Sequence, residues 1–189
     1  AAIAVLGFTS VNAQEDTTVG GFEKGDVFVS GSVSFGNESF GDESTNEFGF
    51  SPKVGMFLSD NIAAGLKLGY TSEKGDNDGV DFVDYTTLAV GAFGRYYVSP
   101  ESEFSLFAEL GVDYTSREDN LNDAKYDGLD FAFAPGISYF VSKNFAIEAT
   151  VGVLGYSTTK PDFSGAESTD SFNIGLDLSD INFGVVYKF

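Results

Sequence analysis

The chain of 189 residues has no cysteine, no histidine and no tryptophan. Without cysteine there is no disulfide, no thiolate nucleophile and no zinc–thiolate site. Without histidine the commonest general base and metal ligand is missing, and a Ser-His-Asp triad cannot be assembled. Basic residues are scarce: 10 Lys and Arg stand against 29 Asp and Glu, a net charge of −19. That balance excludes nucleic acid as a partner, and it excludes docking on anionic lipid through basic patches. No apolar run approaches the roughly 18 residues that a transmembrane helix needs. What is present is 20 Phe, 9 Tyr and 23 Gly, with 42% apolar residues. A disordered chain does not carry so much apolar surface. Strands must carry it.

Residues 1–14 hold no charge, and Val11 and Ala13 stand at −3 and −1 of a plausible cut. This segment reads as the remnant of a cleaved signal peptide. Residues 15–24 read as a lead-in, and 25–189 as one folded unit.

From Asp26 onward, bulky apolar residues fall at every second position, the period of a strand. Val27, Val29, Val33 and Phe35 alternate with serines in the first run. Ile62, Ala64, Leu66, Leu68 and Tyr70 alternate with Gly, Lys and Thr in the third, and five further internal runs repeat the pattern. The last run carries Ile181, Phe183, Val185, Tyr187 and Phe189. Eight runs of about ten residues suit strands that cross a bilayer at a tilt.

The joints alternate in kind. Ser59-Asp60-Asn61, residues 99–103 and Ser142-Lys143-Asn144 are tight, whereas residues 37–47, 73–84, 116–128 and 157–171 are expected to be long polar loops. Those four stretches hold 16 acids and 4 bases, so they are acidic. Short turns at one end and long loops at the other mark a membrane barrel. Pro52 and Pro135 fall inside runs, so a bulge or a missing ladder bond is expected at each. Parity also slips in the last segment, which predicts an extra residue near Ser179-Asp180 or a short additional strand before it.

The terminal Phe189, preceded by Tyr187, Val185, Phe183 and Ile181, resembles the closing strand of outer-membrane barrels. With the leader remnant, the eight runs and the loop asymmetry, residues 22–189 resemble the small eight-stranded outer-membrane proteins of OmpA/OmpX type. The resemblance implies an all-β, closed, antiparallel up-and-down barrel of eight strands in the outer membrane of a Gram-negative envelope. It implies a monomer surrounded by outer-membrane lipid, with both termini in the periplasm. It also implies recognition of the C-terminal strand by the barrel-assembly machinery.

Charge placement decides which parity faces lipid. Lys53, Lys67, Arg95, Glu109 and Glu148 all lie on the Gly/Ser/Thr parity, roughly half-way along their strands. A Lys or Arg facing lipid there would cost about 2–4 kcal/mol, so this parity is expected to face the lumen. An eight-stranded barrel is just wide enough for side chains to fill. The five residues therefore predict an ion-pair network that plugs the interior. Two other readings stay open: a narrow passive pore for small solutes, and a soluble exported ligand-binding barrel with its bulky parity inward.

No catalytic, cofactor-binding or metal-binding set is assigned, and the chain is not expected to be an enzyme. Asp76-Asn77-Asp78-Gly79-Val80-Asp81 resembles part of a calcium loop but lacks the terminal Glu at the required spacing. It reads as a solvated acidic segment.

Overall fold

The computed structural model describes residues 20–41, 43–175 and 181–189, and every regular element in them is a strand. Five long strands come first: β1 (Val27–Phe40), β2 (Glu43–Phe57), β3 (Ile62–Asn77), β4 (Val80–Tyr97) and β5 (Phe104–Asp119). Then come β6 (Ala124–Phe140), β7 (Phe145–Val151), β8 (Leu154–Pro161), β9 (Thr169–Ile174) and β10 (Ile181–Lys188). Consecutive strands from β1 to β7 pair antiparallel, β7 pairs with β10, and β10 returns to β1. The ring is therefore a closed barrel of eight strands. β8 carries on the line of β7 along β6, and β9 pairs with β8, so the last two staves are each broken in two.

The tight turns share one chemistry. Ile62 N–H donates to Ser59 Oγ (3.2 Å), and Phe145 N–H donates to Ser142 Oγ (3.2 Å). Asn61 Nδ2 reaches sideways to the carbonyl of Tyr97, and Asn144 Nδ2 to that of Lys188, each at 2.8 Å. Each Ser-x-Asn turn thus satisfies its own backbone and ties itself to the next hairpin.

The opposite end differs from the expected long loops. β1 and β2 stay in register out to Phe40↔Glu43, and β3 and β4 remain paired out to Asn77↔Val80 past a one-residue bulge between Gly75 and Asp76. Asp78 and Gly79 close the second hairpin with φ of 48° and 81°, the two positive values of a type I′ turn. The segment likened to a calcium loop is this hairpin tip, where Ser44 Oγ donates to Asp76 Oδ1 (2.8 Å). At the third tip, Asp119 accepts from the backbone of Leu121 and Asn122. Most of 37–47, 73–84, 116–128 and 157–171 is thus strand. Past the apolar belt both faces of a strand meet water, so the alternation fades while the ladder persists.

Both prolines act as expected. The β2–β3 ladder skips Ser51 and Pro52 and resumes with its register unchanged. Opposite Pro135, the register between β6 and its neighbour shifts by one residue between Gly136↔Thr150 and Phe133↔Leu154. Gly152 and Val153 form that bulge, which is why the seventh stave breaks. β9 is the short strand held open as an alternative for the fourth loop. The leader remnant at 1–14 and the slip near Ser179-Asp180 lie outside the described residues.

The bulky parity faces outward on every stave. Leu66, Leu68, Leu88, Val90 and Leu110 are exposed along the belt, and Arg95, Glu109 and Glu148 are buried within. Phe35, Phe48 and Tyr70 form an aromatic row at its upper edge, with Phe145, Tyr187 and Phe189 at its lower edge. Such a sleeve needs an apolar solvent.

Leu110 sits mid-belt with 65% of its surface exposed. Leu110→Arg should therefore lower folding stability in lipid vesicles by about 2–4 kcal/mol, as read by urea titration. In a water-soluble barrel an exposed Leu→Arg change would be nearly neutral.

Candidate functional site: the charged layer and aromatic floor of the lumen

Four staves send one charge each to a common level. Lys53 comes from β2, Arg95 from β4, Glu109 from β5 and Glu148 from β7. Arg95 and Glu109 are direct partners on adjacent strands, and Arg95 Nε donates to Glu109 Oε2 at 2.5 Å. The other contacts cross the lumen. Arg95 Nη1 donates to Glu148 Oε2 (2.8 Å), and Lys53 Nζ donates to Glu109 Oε1 (2.7 Å). Tyr97 Oη accepts from Arg95 Nη1 (2.9 Å) and donates to Glu148 Oε1 (3.2 Å). Two cations and two anions are thereby matched, and each carboxylate has more than one donor.

Lys67 joins a different level. It lies directly opposite Lys53 on the ladder, where two like charges repel. The two diverge: Lys53 meets Glu109, and Lys67 meets Asp113 Oδ2 at 2.6 Å. The register aligns Lys67, Gly91 and Asp113 across three strands. Asp113 in turn faces Asp130 on β6. The network expected as a single layer is therefore two layers. The second contains Asp113 and Asp130, both on the inner parity.

Below the charges lies a floor that alternation alone did not reveal. Phe22, Phe28, Phe57, Phe93, Tyr97, Phe107 and Phe140 form one buried cluster with Ala63, Ala146 and Val186. The guanidinium of Arg95 stands 4.5 Å from the Phe107 ring centroid and 5.3 Å from that of Phe93. These faces attract the cation and shield it from water. The rings fit because the inner parity is rich in glycine. A Cβ on Gly55 would stand 2.5 Å from Phe28 Cζ, and one on Gly136 would stand 2.5 Å from Phe107 Cζ. A signal was available in the sequence. Just before each tight turn both parities turn apolar or aromatic, as in Met56-Phe57-Leu58 and Tyr139-Phe140-Val141.

The inner and outer halves of the lumen differ. At the charged layer only a cavity of 30 Å³ remains, lined in part by Ser30, Ser51, Lys53, Arg95 and Glu148. Higher up, β1 and β10 hold five rungs and part above Ser32↔Gly184. A gap of 720 Å³ opens in the wall there, between the edges of β1 and β10, beside Val33, Phe35, Glu47, Ile181 and Phe183.

The closed, lipid-facing barrel has known counterparts. A model of the family described as "Outer membrane protein beta-barrel domain" matches residues 1–189. The chain belongs to this family of outer-membrane β-barrel proteins. Among solved structures it is similar to the outer membrane protein OprG from Pseudomonas aeruginosa, with 17% identity and a TM-score of 0.56, over 89% of this chain and 98% of that one. It is also similar to the E. coli Outer Membrane Protein W, with 15% identity and a TM-score of 0.53, over 88% of this chain and 99% of that one. At such identities the likeness concerns the fold. No curated protein matches the sequence. The outer-membrane location expected from the alternation follows from the family.

Arg95 holds this barrel's inner layer together. Arg95→Met should destabilise it by about 3–5 kcal/mol, because Glu148 is left buried without a cation. Adding Glu148→Gln should recover the larger part, since Lys53–Glu109 survives. Urea unfolding in vesicles for the two variants checks both signs.

Proposed function

We propose that this outer-membrane barrel is a closed wall protein, a scaffold without catalytic or transport chemistry that holds acidic hairpins above the membrane. The observation that carries this reading is the cross-lumen pairing of Arg95 with Glu148 and of Lys53 with Glu109, directly above a floor of packed rings. A hydrated ion would have to part at least one of these bridges and displace a ring. A closed lumen leaves the hairpins as the part that meets the surroundings. Their tips carry Glu43, Asp76, Asp78, Asp81 and Asp123.

In the family orientation the tight turns and both termini face the periplasm, and the hairpins face outward. The outward row of Ile181, Phe183, Val185, Tyr187 and Phe189 is the feature that the barrel-assembly machinery would read. The ring closes within one chain, so the barrel needs no second copy to satisfy its backbone, in keeping with a monomer.

Planar-bilayer recording tests the closure. The native protein should give no steady unitary conductance. Arg95→Ser combined with Glu148→Ser and Phe22→Ala should introduce small steps or raise leak, because that pair crosses the lumen and Phe22 packs in the floor beneath it. Regular steps from the native protein would overturn the closed lumen in favour of a narrow passive pore.

A further inference from the structure

The lead-in ahead of β1 is drawn into the barrel mouth. Phe22 is 1% exposed and lies at the centre of the ring cluster. Its ring stacks on Phe57 at 4.6 Å and meets Phe140 (4.9 Å), Phe28 (5.4 Å) and Tyr97 (5.5 Å). These four come from β2, β6, β1 and β4, so one side chain touches half of the staves. The backbone is held as well. Phe22 N–H donates to the Pro100 carbonyl (2.7 Å) in the β4–β5 turn. Lys188 Nζ donates to the Gly21 carbonyl (2.5 Å) and pairs with Asp26 (3.3 Å). Gly25 N–H donates to the Phe57 carbonyl (2.9 Å).

The approach is too close for side chains. A Cβ on Gly21 would lie 2.4 Å from the Glu101 carbonyl oxygen, and one on Gly20 would lie 2.5 Å from Phe140 Cδ1. The Gly20-Gly21 pair is thus the fitted part of a strap, and Phe22 is its cork.

We propose that residues 20–26 are a strap that seals the mouth at the tight-turn end and can be released independently of the barrel wall. The strap is a second barrier in series with the charged layer, and Tyr97 joins them by touching Phe22 with its ring and Arg95 with its hydroxyl. The β1–β2 ladder from Val27 onward is kept whether or not the strap is seated, because only Gly25 and Asp26 bond the wall backbone there, at Phe57 on the ladder's end, and the rest of the strap makes no rung. The proposal goes beyond the closed-scaffold reading, since it concerns access to the floor from the periplasmic side alone.

The cysteine-free chain makes the test clean. Ala63 and Ala146 face the floor and are buried. Ala63→Cys, and separately Ala146→Cys, are made in the full chain refolded into vesicles. A membrane-impermeant maleimide is supplied from the tight-turn side or from the hairpin side. With the strap intact, labelling from the tight-turn side should be slow. Phe22→Ala, and separately Gly21→Ala, should speed it at least tenfold, while heat-modifiable migration shows that the barrel is still folded. Equal rates with and without these changes in folded barrels would overturn the strap, as would rapid labelling with the strap intact. From the hairpin side labelling should stay slow in every strap variant. Fast labelling from that side alone would count against the closed lumen and leave the strap standing.

Discussion

A strand in hydrocarbon has no water to accept from its N–H groups or donate to its carbonyls, and each unpaired group there costs several kcal/mol. That requirement forces the sheet to close. Closure with eight staves sets the bore, and the bore is too narrow to be left to chance. Every inward side chain must then share its space with those from the opposite wall. The inner parity answers with small residues on many rungs, so that a few large or charged ones can extend across the axis. Gly91 illustrates this: it lies between Lys67 and Asp113 on three adjacent strands, and a Cβ there would stand only 2.2 Å from Asp113 Oδ1.

Placing ions at mid-bilayer follows from the same closure. A cation on the lipid face has nothing to pair with, whereas one on the inner face finds carboxylates on facing walls. Arginine suits the central position better than lysine would. Its rigid fork serves Glu109 through Nε and Glu148 through Nη1, while its flat face rests on Phe107. Lys53, a point charge, manages one carboxylate. Buried pairs of this kind add little net stability over apolar packing, because desolvation offsets much of the attraction. Their value lies in specificity: the pairs that cross the lumen accept only one arrangement of β2, β4, β5 and β7.

The sequence made the belt legible because a strand between lipid and a filled lumen meets two contrasting environments on alternate residues. It made Pro52 and Pro135 legible because a residue without an N–H must leave its mark on a ladder. It concealed the outer hairpins for the converse reason. Beyond Tyr70 the strands meet water on both faces, so residues 73–84 look like loop and fold as ladder. Depth along the strand alone sets Lys67 level with Lys53, Arg95, Glu109 and Glu148, and register overrides depth. The tight turns set that register, and it aligns Lys67 with Asp113 through Gly91. Phe22 left the weakest trace, since it precedes the first alternating run and its packing depends on partners from four distant segments.

The two ends of the barrel obey the closure requirement to different degrees. Near the tight turns the ring is complete, the ladders are intact and rings fill the bore. Above Ser32↔Gly184, β1 has no further rung to β10 or β9 among the described residues, and β9 pairs only with β8. Eight laddered staves therefore surround the lower lumen, while the upper part is walled by one sheet laddered from β1 through β6, β8 and β9, whose β1 and β9 edges share no rung among the described residues. The parting starts at Val33 and Phe183, below the aromatic row of Phe35, Phe48 and Tyr70, so it lies within the apolar belt and not at its watery rim. The charged layer lies on the closed side of that boundary, which is why its ions must be satisfied by one another rather than by solvent.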